Sequence, residues 1–181
     1  MSKCNSNHFS GTTGLRNSRN SAVHNPSESD IIAERVKNLD LREHPTKQMG
    51  ARRMKKVRGK VDTRTATRKE YQLLRHTERL NARREVGVAQ FWNQERERIL
   101  NGQRPTRPWS AEQREMILGK TPPKINGKTL QGHHTYAVSK YPHLANRGEV
   151  IFPVTFYEHL NIWHGGSFFK NAPGRPVKTA H

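Results

Sequence analysis

Apolar residues are sparse along this chain, and their spacing divides it into segments of different character. Residues 1–28 are rich in Ser, Asn, Gly and Thr and show no apolar period, the signature of a flexible polar leader. In the stretch SDIIAERVKNLDLREHP, Ile31, Ile32, Val36 and Leu39 recur at helical spacing, which predicts one short helix ending before Pro45. The following KQMGARRMKKVRGKVDTRTATRK is basic with few apolar positions and two glycines, and reads as a solvated linker or nucleic-acid arm rather than a core element.

Tyr71, Leu74, Leu80, Val88, Phe91, Trp92, Ile99 and Leu100 then alternate with charges, predicting two amphipathic helices broken near Gly87 and stopped at Gly102. Ser110 and Gln113 form a capping-box pattern, with Gly119 a left-handed C-cap, so a helix of about two turns is expected between them. After TPPK the period shortens. Asn126-Gly127 signals a turn, QGHH follows in a short run with strand character, and EVIFPVT reads as a second strand with Pro153 near its end. TFYEHLNIWHGG returns to helix, capped by Thr155, apolar at Phe156, Leu160 and Trp163, and stopped by Gly165.

Composition sharpens this outline. Of 181 residues, 33 are Lys or Arg and 15 are Asp or Glu, giving a formal net charge of +18. The mean hydropathy is −0.99, so a core spread over the whole chain would be thin. Such a charge favours an anionic polymer, nucleic acid first and an acidic protein second. No apolar run approaches a membrane span or a signal-peptide core, which argues against membrane insertion and for synthesis in the cytoplasm. A single cysteine, Cys4, offers neither a disulfide nor a CxxC zinc knuckle, so any metal falls to His, carboxylate, Asn or water.

The histidines are therefore the candidate chemistry. His133 and His134 are adjacent, and neighbours on a strand point to opposite faces, so one of them is structural or the pair divides two jobs at a bend. His159 and His164 are about 140° apart on an ideal α-helix and share a face only if the helix ends or tightens between them. A phosphodiester hydrolase uses such a division: a metal to stabilise charge on the phosphate, and a base that takes a proton near neutrality. His143, in KYPHLA, reads as a loop residue bonding a backbone carbonyl.

The ordered set Gly132-His133-His134, Tyr141 to Ala145 (YPHLA), Pro153 to Thr155 (PVT), Glu158-His159 and Trp163-His164-Gly165-Gly166, between about Trp109 and Asn171, resembles the GHH-signature branch of the HNH/endonuclease VII nucleases, found as C-terminal domains of bacterial polymorphic toxins. The resemblance implies a small ββα-metal (His-Me finger) nuclease core at 105–171; with the basic, mainly helical extension read from the residues at 29–104 and an irregular tail at 172–181, the expected fold class is α+β. It implies one divalent metal ion (Mg, Mn, Ni or Zn), with His133 a ligand and His134 the general base. His159 and His164 would be further ligands or phosphate contacts. The family's middle Asn has no counterpart at the start of the last helix; Thr155 stands at about that place and Asn161 lies further along. Glu158 either orients an imidazole or is an exposed carboxylate, and Arg104 and Arg107 either grip phosphate or are solvated.

The expected activity is metal-dependent cleavage of DNA with little sequence preference, in a bacterial toxin delivered to a target cell and neutralised by an acidic immunity protein. A phage-type structure-selective nuclease, an RNase and a non-catalytic nucleic-acid-binding protein are the alternatives. His134 discriminates the last of these, because a purely structural ion has no use for a neighbouring base.

Overall fold

The computed structural model describes residues 27–168; the expected leader falls almost wholly outside them, and the expected tail entirely so. Four α-helices come first: α1 Glu28–Val36, α2 Ala51–Asp62, α3 Arg68–Leu100 and α4 Ala111–Leu118. Two antiparallel strand pairs follow, β1 Lys124–Ile125 with β2 Lys128–Thr129, and β3 Gln131–His134 with β4 Ile151–Val154. A wide helical turn at Glu158–Trp163 closes the described chain. This is a mixed helical and antiparallel-sheet molecule.

Local chemistry sets most of the boundaries. Capping boxes start α1 (Ser27 with Asp30), α3 (Thr67 with Glu70) and α4 (Ser110 with Gln113), each satisfying first-turn N–H groups that have no partner inside the helix. Asn126 and Gly127, with φ of 51° and 74°, make the positive-φ turn that joins β1 to β2. At the end of α4 the expectation fails in detail. Gly119 has φ of −76°, and Lys120, at 59°, takes the left-handed position instead.

Two further expectations are corrected by packing. The basic run is not a bare linker: residues 51–62 form α2, which buries Met54 and Val57 with Met49 against Leu74 of α3. Its apolar positions are few but fall three apart on one face, enough for one seam. Nor is the next helical stretch broken at Gly87. α3 runs unbroken for 33 residues, about 50 Å at 1.5 Å per residue. A mid-helix glycine costs only about 1 kcal/mol, which tertiary packing easily outweighs. Gly87 is where the helix meets the 145–146 backbone: an added Cβ would lie 2.5 Å from the Ala145 carbonyl oxygen.

α3 is the spine to which the rest attaches. Phe91 is fully buried among Ile32 and Val36 of α1, Val150 to Phe152 around β4, and Trp163. The helices thus share a core with the histidine-bearing strands. Glu95, also fully buried, accepts hydrogen bonds from the Thr106 N–H (2.6 Å), the Trp109 indole (2.6 Å) and Arg98 (2.7 Å), with Arg35 of α1 3.8 Å away. A buried carboxylate is tolerated only when surrounded in this way. It fastens α1 and the 106–109 segment to α3.

Candidate active site

β3 brings the paired histidines to the centre. Its antiparallel register sets His133 opposite Phe152 and His134 opposite Ile151. Alternation along the strand then sends the two rings different ways. His133 turns into the core at 2% exposure, and His134 is half-buried. Gly132 has no side chain because Val88 of α3 occupies the space: an added Cβ would meet a Val88 methyl at 2.7 Å.

The turn after β4 supplies the other two imidazoles by widening, not by tightening. Thr155 and Glu158 cap it reciprocally, the Thr155 N–H donating to Glu158 Oε2 (2.6 Å) and the Glu158 N–H to Thr155 Oγ1 (3.2 Å). His159 N–H reaches Thr155 O four residues back, but His164 N–H reaches His159 O, five back. That π-type bond overrides the 140° separation of an α-helix and sets His159 and His164 side by side, their ring centroids 4.9 Å apart. Gly165 and Gly166, both at positive φ, end the turn there. Trp163, 5% exposed, lies against the His133 ring, whereas Phe156 is 54% exposed and not part of the expected apolar face.

The result is a triangle of imidazoles. His133 lies 5.0 Å, centroid to centroid, from both His159 and His164. One ring nitrogen from each of the three falls within 4.8 Å of the others. His133 Nε2 is buried with no hydrogen-bond partner among the described residues, an arrangement that costs free energy unless something binds it. Gln131 Oε1 accepts from His159 Nδ1 at 2.7 Å, leaving Nε2 of that ring as its lone-pair nitrogen. The donor set and the orphaned nitrogen fit a divalent transition-metal ion.

His134 is held differently. Its Nε2 is 2.9 Å from the Ala145 carbonyl oxygen. A carbonyl only accepts, so Nε2 carries the proton and Nδ1 is the basic nitrogen. Burial, with Arg84 and His159 nearby, lowers its pKa to about 4 against the hydrogen bond to Ala145, which raises it. Burial and the neighbouring imidazoles lower His133 to about 2, and burial, His164 and Arg84 lower His159 to about 4. All three are neutral at pH 7.

His133, His134, His159 and His164 line one cavity of about 480 Å³, with Arg84 on its α3 side and no carboxylate among the described residues of its wall. Arg84 is the cationic residue that sequence reasoning missed; among the many arginines of this region, nothing in its spacing marks it. Phe168 was missed as well, and its ring lies 5.2 Å from both His159 and His164. The other candidates lie outside this cavity. Arg107 pairs both guanidinium nitrogens with Glu158 (2.9 Å each) and donates to Pro153 O, and with Arg104 it borders a separate cleft. Glu158 therefore braces the turn through Arg107 and Thr155 rather than orienting an imidazole. His143 bonds a backbone carbonyl, that of Asp40, at 2.8 Å.

An imidazole triangle suited to a metal, a carbonyl-tethered histidine beside it and a cavity with a cation in its wall define a candidate hydrolytic site for an anionic substrate. Residues 76–155 match the family model of the GHH signature containing HNH/Endo VII superfamily nuclease toxins. That stretch takes in the latter part of α3, with Arg84, and the Gly132-His133-His134 signature, and stops before His159 and His164. No curated protein and no solved structure matches the chain. No described helix is long and apolar enough to cross a membrane.

Proposed function

We propose that this protein is a metal-dependent endonuclease that hydrolyses DNA phosphodiester bonds with little sequence preference, acting as a bacterial toxin. The observation that carries the reading is the tether of His134 to Ala145, which leaves Nδ1 basic on a ring that shares its cavity with the imidazole triangle. His133, His159 and His164 would hold one divalent ion, which when bound supplies Lewis-acid stabilisation of charge on the phosphate. His134 Nδ1 takes a proton from the attacking water as its oxygen bonds to phosphorus. The P–O bond to the leaving oxygen breaks, and solvent protonates that oxygen. Arg84 offers the approaching phosphate a cation with no carboxylate among the described residues of the cavity wall to compete for it.

The charge of +18 supports backbone-dominated binding that weakens steeply with salt. It also suits an acidic immunity protein that covers the cavity mouth. The ββα-metal arrangement is the corresponding reading of β3, β4 and the wide turn.

Plasmid nicking in low salt by wild type and His134→Ala, with Mg²⁺, Mn²⁺, Ni²⁺, Zn²⁺ or chelator and with DNA binding measured in parallel, tests the proposal. Cutting that needs a metal and falls by about 10²-fold or more in the variant, with binding intact, is the expected outcome. Undiminished cutting by His134→Ala, or cutting in chelator, would refute it.

A further inference from the structure

Residues 40–46 form a strap across the 139–143 turn. The His44 N–H donates to Lys140 O (2.7 Å), the Thr46 N–H donates to Ser139 O (2.8 Å), and Lys140 pairs with Glu43 (2.9 Å). Where strap and turn cross, Asp40, His44 and His143 each bring one donor atom within 4.8 Å of the others. The Asp40 carbonyl accepts from His143 Nε2–H, so the lone pair of that ring is on Nδ1. His143 Nδ1 is buried without a hydrogen-bond partner among the described residues. His44 Nε2 lies 3.8 Å from Asp40 Oδ2, and the rings of His44 and His143 meet edge to face at 4.8 Å. A histidine whose one nitrogen donates to a backbone carbonyl while the other lacks a partner has the usual setting of a metal ligand.

We propose that Asp40, His44 and His143 bind a second divalent ion of the zinc class, separate from the imidazole triangle. Two imidazoles and a carboxylate are a zinc donor set, with water completing four-coordination. The ion's role is structural. The strap continues into Gln48, Met49 and Gly50, which wall the imidazole cavity, so an ion at the crossing fixes one side of that cavity. Arg42 competes for the site, since its guanidinium donates to both Asp40 oxygens (2.9 and 2.7 Å). Its side chain is 82% exposed and free to withdraw into solvent.

The test is the zinc content of the full chain after equilibrium dialysis against Zn²⁺. His44→Ala and Asp40→Asn should each bind one equivalent less than wild type, and the loss should add to that caused by His133→Ala. On the His133→Ala background, Zn²⁺ should still raise the melting temperature, and adding His44→Ala should abolish the rise. Arg42→Ala should bind the strap ion several-fold more tightly. His44 is surface-exposed and Asp40→Asn preserves volume, so both variants should fold. A wild-type zinc complement in both His44→Ala and Asp40→Asn would overturn the proposal, as would a zinc-induced rise in melting temperature that survives His44→Ala on the His133→Ala background. The count does not rest on the nuclease reading: a chain that cuts nothing but loses one zinc with His44 fails that reading alone.

Discussion

Gly87→Ala separates the geometry of this site from its stability. In an open helix the change would stabilise by about 1 kcal/mol, because alanine is the better helix former. Here the new Cβ would stand 2.5 Å from Ala145 O and 3.3 Å from Asn146 Cα, both backbone atoms. Ordinary contacts need the carbonyl to retreat by roughly 0.5–1 Å, and overpacking of this kind costs about 1–3 kcal/mol. Arg83, one turn back on α3, resists that retreat by holding His143 O (3.0 Å) and Asn146 Oδ1 (2.7 Å). The net effect is destabilisation of about 0–2 kcal/mol, a fall in melting temperature of up to about 8 °C for a chain of this size.

Activity should suffer far more. The carbonyl that must move is the one that fixes the proton on His134 Nε2, and if His134 is the base proposed above, a displacement approaching 1 Å there costs about 10²-fold. Gly59→Ala on α2 is the control, since nothing lies within 4 Å of its added Cβ. It should gain up to about 1 kcal/mol and cut DNA normally. Plasmid nicking rates and thermal melts on both variants decide the matter. A Gly87→Ala protein that is stabilised like Gly59→Ala and fully active would refute the argument.

Two predictions concern the scaffold. Glu95→Ala removes the acceptor for three groups at 2.6–2.7 Å and leaves Arg98 and Arg35 without their buried partner, at a cost of about 3–5 kcal/mol by urea denaturation. Glu97→Ala, which breaks only the largely exposed pair with Arg96, should stay within about 0.5 kcal/mol of wild type, and equal losses in the two variants would contradict the assignment. Glu70 caps α3 and pairs with Lys60, and the Lys60 bond followed by that of the Thr67 N–H lowers its pKa from 4.5 to about 2. A depressed carboxylate pKa contributes stability that is full above the unfolded value and lost as pH falls toward the folded one. Glu70→Gln should therefore flatten the dependence of melting temperature on pH between about 5 and 2, and an unchanged slope would count against the pairing.

What could be read in advance was local. The capping box at Ser110, the cap at Thr155, the Asn126-Gly127 turn and the strands around His133 and Pro153 each rest on chemistry within a few residues, and each appears in the fold. The readings that failed were settled by distant partners. Gly87 breaks a helix by propensity alone, yet here it admits the 145–146 backbone, which lies nearly sixty residues away in the sequence. The pairing of Arg107 with Glu158, fifty-one residues apart, is likewise invisible to any local signal.

The wide turn shows the same limit at the site itself. In α-geometry His159 and His164 cannot serve one ligand, and no residue between them announces a π-bond. What can hold the turn open is what surrounds it: Trp163 buried on Phe152 and His133 below, the Thr155–Glu158–Arg107 bracket before it, and two positive-φ glycines after it. A π-turn is a strained choice for a backbone and is found most often where function requires it. Five-residue spacing of histidines ahead of paired glycines is thus a weak signal alone. It gains meaning here because β3 delivers a third imidazole, with an unpartnered nitrogen, to the same point.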